Sequence, residues 1–202
     1  MTPGDRARLV FEGYDPASEG QREALCSLGN GYLATRGVAP EATDDGVHYP
    51  GTYVAGVYNR LVDVVDGHQL DHETLVNLPN WVLFEFRTGG EDWFSMDHAE
   101  VLDHVVTLDM RQAQLIRELR VRDGAGQVTR VTQRRLVHRH DPHLAAIETT
   151  FRPEGWSGTI DVRSTLDGAV ENNGVERYAE LARRHLRVEA LWAPAADTVA
   201  LS

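Results

Sequence analysis

The chain has 202 residues, 42% of them hydrophobic, and a formal net charge of −11. That length supports one domain, or two small ones, with a sizeable core, and the charge argues against nucleic-acid binding, which calls for a basic face. All 20 basic residues are arginine, which excludes a Schiff-base or phosphate-loop lysine, and the single cysteine, Cys26, excludes an internal disulfide and a cysteine-built zinc site.

Alternation with a period of two dominates over helical spacing, so strands are expected along most of the chain. Residues 18–26 read as a short helix. Gly29-Asn30-Gly31 is glycine-rich but is not GxGxxG, and no clear helix follows to offer backbone N–H groups to a phosphate. It reads as the start of a strand, where glycine allows a positive φ or a close backbone approach. Val82-Leu83-Phe84-Glu85-Phe86, a turn at Thr88-Gly89-Gly90-Glu91, and Trp93-Phe94-Ser95-Met96 read as a hairpin. A second hairpin is clearer. Leu115, Arg117, Leu119 and Val121 alternate with other residues, Asp123-Gly124-Ala125-Gly126 turns, and a strand runs from Val128 to Val137. Residues 144–151 form the next strand, Pro153-Glu154-Gly155 breaks it, and residues 159–165 begin another.

Residues 178–184 (YAELARR) could make two helical turns at most. The stretch 185–192 alternates again through Leu186, Val188, Ala190 and Trp192. Ala193-Pro194-Ala195-Ala196-Asp197 reads as a loop and Thr198-Val199-Ala200-Leu201 as the start of a strand. Short, closely spaced strands with Gly and Pro turns predict an all-β, antiparallel sandwich or barrel. A strand cut at its start cannot complete its pairing, so the domain is expected to be truncated at its C-terminal end.

Residues 1–20 carry several charges and no long apolar run, so no signal peptide is read there. No segment approaches the roughly 18 apolar residues of a membrane span, and the chain has no Asn-x-Ser/Thr sequon. The expectation is a soluble cytoplasmic protein. Cys26, flanked by Leu25 and Ser27-Leu28, reads as a small core residue.

Residues 50–81 concentrate Tyr53, Tyr58, Asn59, Asn77, Asn80 and Trp81. Sugars are held by an aromatic face under the C–H face of the ring, with amides reaching the hydroxyls, so these are suitable materials for a substrate rim. The bland reading is that Trp81 fills the core while Asn77 and Asn80, flanking Pro79, hold a turn. A third reading packs this face against another domain. The His138-Arg139-His140-Asp141-Pro142-His143 run invites a metal, since His138 and His140 share a strand face. A polar loop predicts the same residues, and no metal is assigned. Carboxylates are plentiful, but density cannot identify a catalytic acid–base pair.

Five motifs occur in order: CSLGNGYLATRG at 26–37, PGTYVAGVYN at 50–59, LVNLPNW at 75–81, LDM at 108–110 and STLDGAVENNGV at 164–175. Together they resemble the N-terminal domain of glycoside hydrolase family 65, the maltose, trehalose and kojibiose phosphorylases and related hydrolases. The resemblance covers roughly residues 10–190. It implies that residues 1–202 form a large antiparallel β-sandwich, similar to the galactose-mutarotase supersandwich, from a domain that runs longer than this chain. In that family a helical linker and a catalytic (α/α)6 barrel follow.

The resemblance further implies an α-linked glucose disaccharide as substrate, cleaved with inversion by a single acidic glutamate. Inorganic phosphate is the co-substrate in the phosphorylases and an activated water replaces it in the hydrolases; no other cofactor is implied. Those groups belong to barrel motifs that this chain does not contain, so no catalytic residue is assigned to it. The implied role is a non-catalytic one: support for the barrel, the rim of its site, and a homodimer contact. Arg36, the motif's arginine, suits a buried ion pair as well as a ligand contact. Cys26 stands where an aromatic or other small residue is usual. Two alternatives remain. A carbohydrate-binding module predicts aromatics exposed on one face. A mutarotase-like epimerase predicts a histidine and a carboxylate converging in a concave pocket.

Overall fold

The computed structural model describes residues 7–65, 68–172 and 185–202. The expected helix at 178–184 lies outside them, as do Asn173, Gly174 and Val175 of the last motif. β1 (Arg8–Glu12) leads into α1 (Pro16–Leu25). Asp15 caps α1 by accepting from Ala17 N, and Pro16 opens it with the fixed φ a first turn wants. Three short strands follow, β2 (Leu28–Gly29), β3 (Leu33–Thr35) and β4 (Thr52–Val54), paired in that order. β5 (Tyr58–Val65) and β6 (His68–Leu75) form a hairpin. After β7 (Phe84–Thr88) come four long strands: β8 (Glu100–Asp109), β9 (Gln114–Arg122), β10 (Val128–Val137) and β11 (Ala145–Glu154). β12 (Ile160–Ser164), β13 (Leu191–Ala195) and β14 (Thr198–Leu201) complete the described chain.

The architecture is the expected all-β, antiparallel one. Its frame is a five-stranded sheet in the order β1-β8-β9-β10-β11. The Asp123-Gly124 hairpin is found as β9–β10, with Gly126 at φ 82° and Asp123 Oδ1 accepting from Gln127 N. One face of this sheet is buried, and along it Leu115, Leu119 and Val121 alternate with outward residues as read from the sequence. The opposite face is charged, with Arg120 and Arg130 both reaching Glu154. Two apolar clusters lie on the buried face. One gathers Cys26, Leu28, Val106, Leu115 and Val137; the other gathers Phe86, Leu119, Val121 and Val131. A third, Val38, Ala42 and Val82, belongs to the segments laid over the sheet.

Cys26 is fully buried, as expected. Gly37 runs against it so closely that a Cβ there would stand 2.4 Å from Cys26 Cβ and 2.8 Å from its carbonyl oxygen.

Three local expectations need correction. The hairpin expected between residues 82–86 and 93–96 does not form: β7 pairs with β12 instead. Gly89 and Gly90 do turn the chain at positive φ, and the return makes one backbone hydrogen bond, from Phe94 N to Phe86 O at 2.9 Å, without a strand ladder. Phe94 stacks on Phe86 at 4.8 Å, and Trp93 lies under the guanidinium groups of Arg87 and Arg163. Pro153 does not break its strand. β11 runs to Glu154 with Pro153 opposite Thr129, which an edge strand tolerates because one side of its ladder is unpaired. Near the end, strand begins at Leu191 rather than 185 and continues through the expected loop to Ala195. β14 then pairs back on β13, so the final strand finds a partner within the chain. Among the described residues no helix is long and apolar enough to cross a membrane.

Candidate functional site

The sugar-type candidates from residues 50–81 are distributed by the fold. Tyr53 sits on β4, half-buried, and its hydroxyl donates to the Tyr49 hydroxyl at 3.0 Å. Burial, then that hydrogen bond, push its phenol well above the ordinary range. Tyr58 opens β5 opposite Leu75 and is 55% exposed. Beside it Asn59 Nδ2 donates to His185 Nδ1 at 2.8 Å.

Asn77 and Asn80 are buried and occupied. Asn77 Oδ1 accepts from Thr52 N, and its Nδ2 donates to the carbonyls of Pro50 and Glu171. Asn80 Oδ1 accepts from Val82 N, while its backbone exchanges two hydrogen bonds with Asp167. The two amides line one cavity of about 30 Å³ with Asp44, Asp167 and Glu171. Trp81 is partly buried against Val38, Ala42 and Val82. Its indole Nε1 is buried and has no hydrogen-bond partner among the described residues. Asn172, visible in the sequence only as part of a turn motif, ties this region together: Oδ1 accepts from Asn77 N and Nδ2 donates to Leu75 O.

A second constellation escaped sequence reasoning. Between the two apolar clusters of the long sheet runs a belt of buried polar groups: His104 on β8, Arg117 on β9, Gln133 and Arg135 on β10. Arg117 and Gln133 are register partners, and Gln133 and Arg135 are two residues apart, so the pleat puts all three on the inner face. The segment 38–42 and α1 cover them.

Arg117 meets Glu41 through two parallel hydrogen bonds of 2.6 and 2.7 Å, both side chains 6% exposed. Its Nε donates to His104 Nε2 at 3.2 Å, and His104 Nδ1 donates to Gly13 O at 2.9 Å. These partners fix a neutral imidazole with both nitrogens engaged. Burial, then the Arg117 charge, push its pKa down to about 4. Arg135 donates to the carbonyls of Arg36 and Val38.

Helix α1 is unusual in burying charges, Glu19, Arg22 and Glu23, because the surface it covers is this polar belt. Glu23 accepts from His48 Nδ1 at 2.7 Å and from Tyr49 N, with Arg36 at 3.5 Å. Arg36, the motif arginine, is thus held in a structural pair, with further bonds to Tyr49 O and Gly20 O. Burial alone would depress the His48 imidazole; the Glu23 carboxylate bonded to it more than offsets this and raises it. A histidine and carboxylates do converge on the sheet, as the epimerase alternative asks, but the His104 lone pair is taken by Arg117.

The histidine run at 138–143 forms a loop clasp. His138 Nδ1 accepts from Asp141 N at 2.7 Å, Asp141 Oδ1 accepts from His143 N, and the His143 ring meets Tyr32 edge-on at 4.6 Å. Asn30, between the two glycines of the first motif, pins this loop by donating to His138 O and Pro142 O. Among the described residues no group of three His, Cys, Asp or Glu is placed to hold a metal ion.

Comparison with known proteins matches residues 9–202 to the family model described as glycosyl hydrolase family 65, N-terminal domain. An uncharacterized glycosyl hydrolase of Mycobacterium tuberculosis is 52% identical over 178 residues, covering 88% of this chain and 13% of that protein. The kojibiose phosphorylase of Caldanaerobacter subterraneus subsp. tengcongensis is 32% identical over 186 residues, covering 92% of this chain and 23% of that protein. The trehalose 6-phosphate phosphorylase of Lactococcus lactis is 36% identical over 172 residues, 82% of this chain and 21% of that protein. A solved structure from the human microbiome, assigned by its name to the kojibiose phosphorylases, superposes with a TM-score of 0.73 at 20% identity. It covers 84% of this chain and 22% of that one; at that identity the likeness is one of fold. The chain spans only 13% to 23% of the length of these curated relatives.

Proposed function

Since the chain belongs to the glycosyl hydrolase family 65 N-terminal domains, we propose that it is the non-catalytic β-domain of an inverting α-glucoside phosphorylase or hydrolase. In this reading it packs beside a catalytic (α/α)6 barrel, which binds an α-linked glucose disaccharide and, in a phosphorylase, inorganic phosphate. The observation that carries the reading is the match over residues 9–202 to proteins of which the chain is at most about a quarter, two of them named as disaccharide-type phosphorylases.

The chemistry of the described residues supports it. Inverting cleavage needs an acid that can release a proton to the leaving oxygen, with a nucleophile on the opposite face. The buried carboxylates Glu19, Glu23, Glu41 and Asp109 each face a cation, Arg22, His48, Arg117 and Arg8 respectively. Burial outweighs Arg22 and raises the Glu19 carboxyl, but this side chain is 7% exposed and the cavity it lines, about 30 Å³, is too small for a disaccharide. A phosphate nucleophile arrives already charged, which removes the need for a second catalytic carboxylate. Its donors are assigned to the barrel.

For the rim of the site, or the contact with the barrel, Tyr58 is the exposed candidate, and Asn59, Tyr53 and Trp81 stand partly covered. Asn77 and Asn80 support that region from behind through the bonds described above. A homodimer and a cytoplasmic location belong to the same proposal.

The test is direct. The chain alone, and the chain together with its barrel, are incubated with kojibiose, trehalose and maltose, with and without inorganic phosphate. Glucose or β-glucose 1-phosphate, followed by NMR, is expected only with the barrel present. Turnover by the 202-residue chain alone overturns the proposal.

A further inference from the structure

The polar belt leaves donors unmatched, and they share a cavity. Arg22, Arg117, Gln133 and Arg135 all line one cavity of about 30 Å³ under residues 37–40, with Glu19 as its lining carboxylate. Arg22 is paired with Glu19 at 3.0 Å and Arg117 with Glu41 at 2.6 Å. Arg135, 4% exposed, has two carbonyl partners and, among the described residues, no carboxylate in ion-pair contact. Three nitrogens here are buried without a hydrogen-bond partner, Arg135 Nε, Gln133 Nε2 and Arg22 Nε, and so is one acceptor, Glu19 Oε1.

A buried cation that touches no carboxylate is among the costliest groups a fold can carry; Glu41 and Glu23 act on Arg135 only from a distance. Burial, then the neighbouring Arg117, lower the Arg135 guanidinium to about 10, which leaves it charged at neutral pH. Size and chemistry then select an occupant. A space of this volume takes one particle of about the size of a water molecule, too little for sulfate, phosphate or a sugar. A water can accept from these N–H groups and donate to Glu19 Oε1, but it brings no charge to Arg135. An acceptor-only particle with a negative charge satisfies both the N–H groups and the guanidinium.

We propose that this cavity binds one small monovalent anion of chloride size, held by Arg135, Gln133 and Arg22. The site is independent of the disaccharide chemistry proposed above.

Thermal unfolding of the chain at constant ionic strength tests it, with gluconate replaced stepwise by chloride or bromide up to 100 mM. A saturable rise in Tm is expected with either halide, about 5 °C once its concentration exceeds the dissociation constant a hundredfold. Sulfate should give no such rise. Arg135→Gln removes the charge and should abolish the halide dependence. Because that variant is open to misfolding, Gln133→Leu, which removes one donor, should weaken the dependence without removing it. On the unsubstituted chain, crystals grown in 100 mM bromide should show an anomalous peak between Arg135 and Gln133. A melting curve indifferent to halide, a cavity holding water without a bromide peak, or a peak that needs molar bromide overturns the proposal.

Discussion

Each buried charge of the belt is legible only through a partner far away in sequence. Arg117 keeps the two-residue spacing of Leu115 and Leu119, so its position on the inner face is readable from period two alone. Its carboxylate, Glu41, lies 76 residues earlier in a loop that no pattern marks. Among the rim candidates, Asn77 and Asn80 were findable because Pro79 between them signals a turn, whereas Asn172 looked like turn chemistry and nothing more. The histidines carry a pH consequence. His104 is held at about 4 in the folded chain and returns to about 6.5 when unfolded. Between those values the unfolded chain binds the extra proton, so stability present above pH 6.5 is lost as the pH falls toward 4. His48 acts in the opposite sense: its folded value is raised, so its contribution is complete below 6.5 and fades as the pH rises through the raised value. His104→Gln can keep both hydrogen bonds without the titration. The stability difference between the wild-type chain and this variant should therefore fall by up to about 3 kcal/mol from pH 7 to pH 4. Urea unfolding at both pH values measures it, and a difference that stays flat refutes the assignment.

Among the elements, local chemistry was readable and long-range pairing was not. The β9–β10 hairpin announces itself by Asp123-Gly124 between alternating strands. The Gly89-Gly90 turn looks equally good, yet β7 pairs with β12, whose residues lie about 75 positions on. Nothing in a strand's own composition names a partner at that distance. The first motif is explained by contacts between elements. The helix of residues 16–25 ends at Cys26, and residue 37 must pass directly over it, so only glycine fits there. Gly37→Ala is expected to cost about 1–3 kcal/mol through overpacking, since the atoms met belong to a core side chain and its backbone. A lowered urea midpoint with an unchanged m-value is the expected result; an unmoved midpoint would show that the backbone yields.

For the whole molecule, the frame closes by joining its beginning to its middle. β1 covers the β8 edge from Val105 to Asp109. An uncovered edge strand is a template for pairing with another chain. Deleting residues 1–12 is therefore expected to produce larger assemblies than the intact chain in size-exclusion chromatography with light scattering, and an unchanged profile would sink that view. Fold class was visible at this scale from the period and the turn residues. The covering of the sheet by a charged helix was not, because burial of Glu19, Arg22 and Glu23 reverses the usual helical pattern. The same closure sets a schedule during synthesis. Arg8 meets Asp109 across 101 residues. At about 5–20 residues per second on the ribosome, the leading segment waits roughly 5–20 s for its partner to emerge. Through that interval Val10 and Phe11 lack the partners they meet across the ladder, Thr107 and Val106.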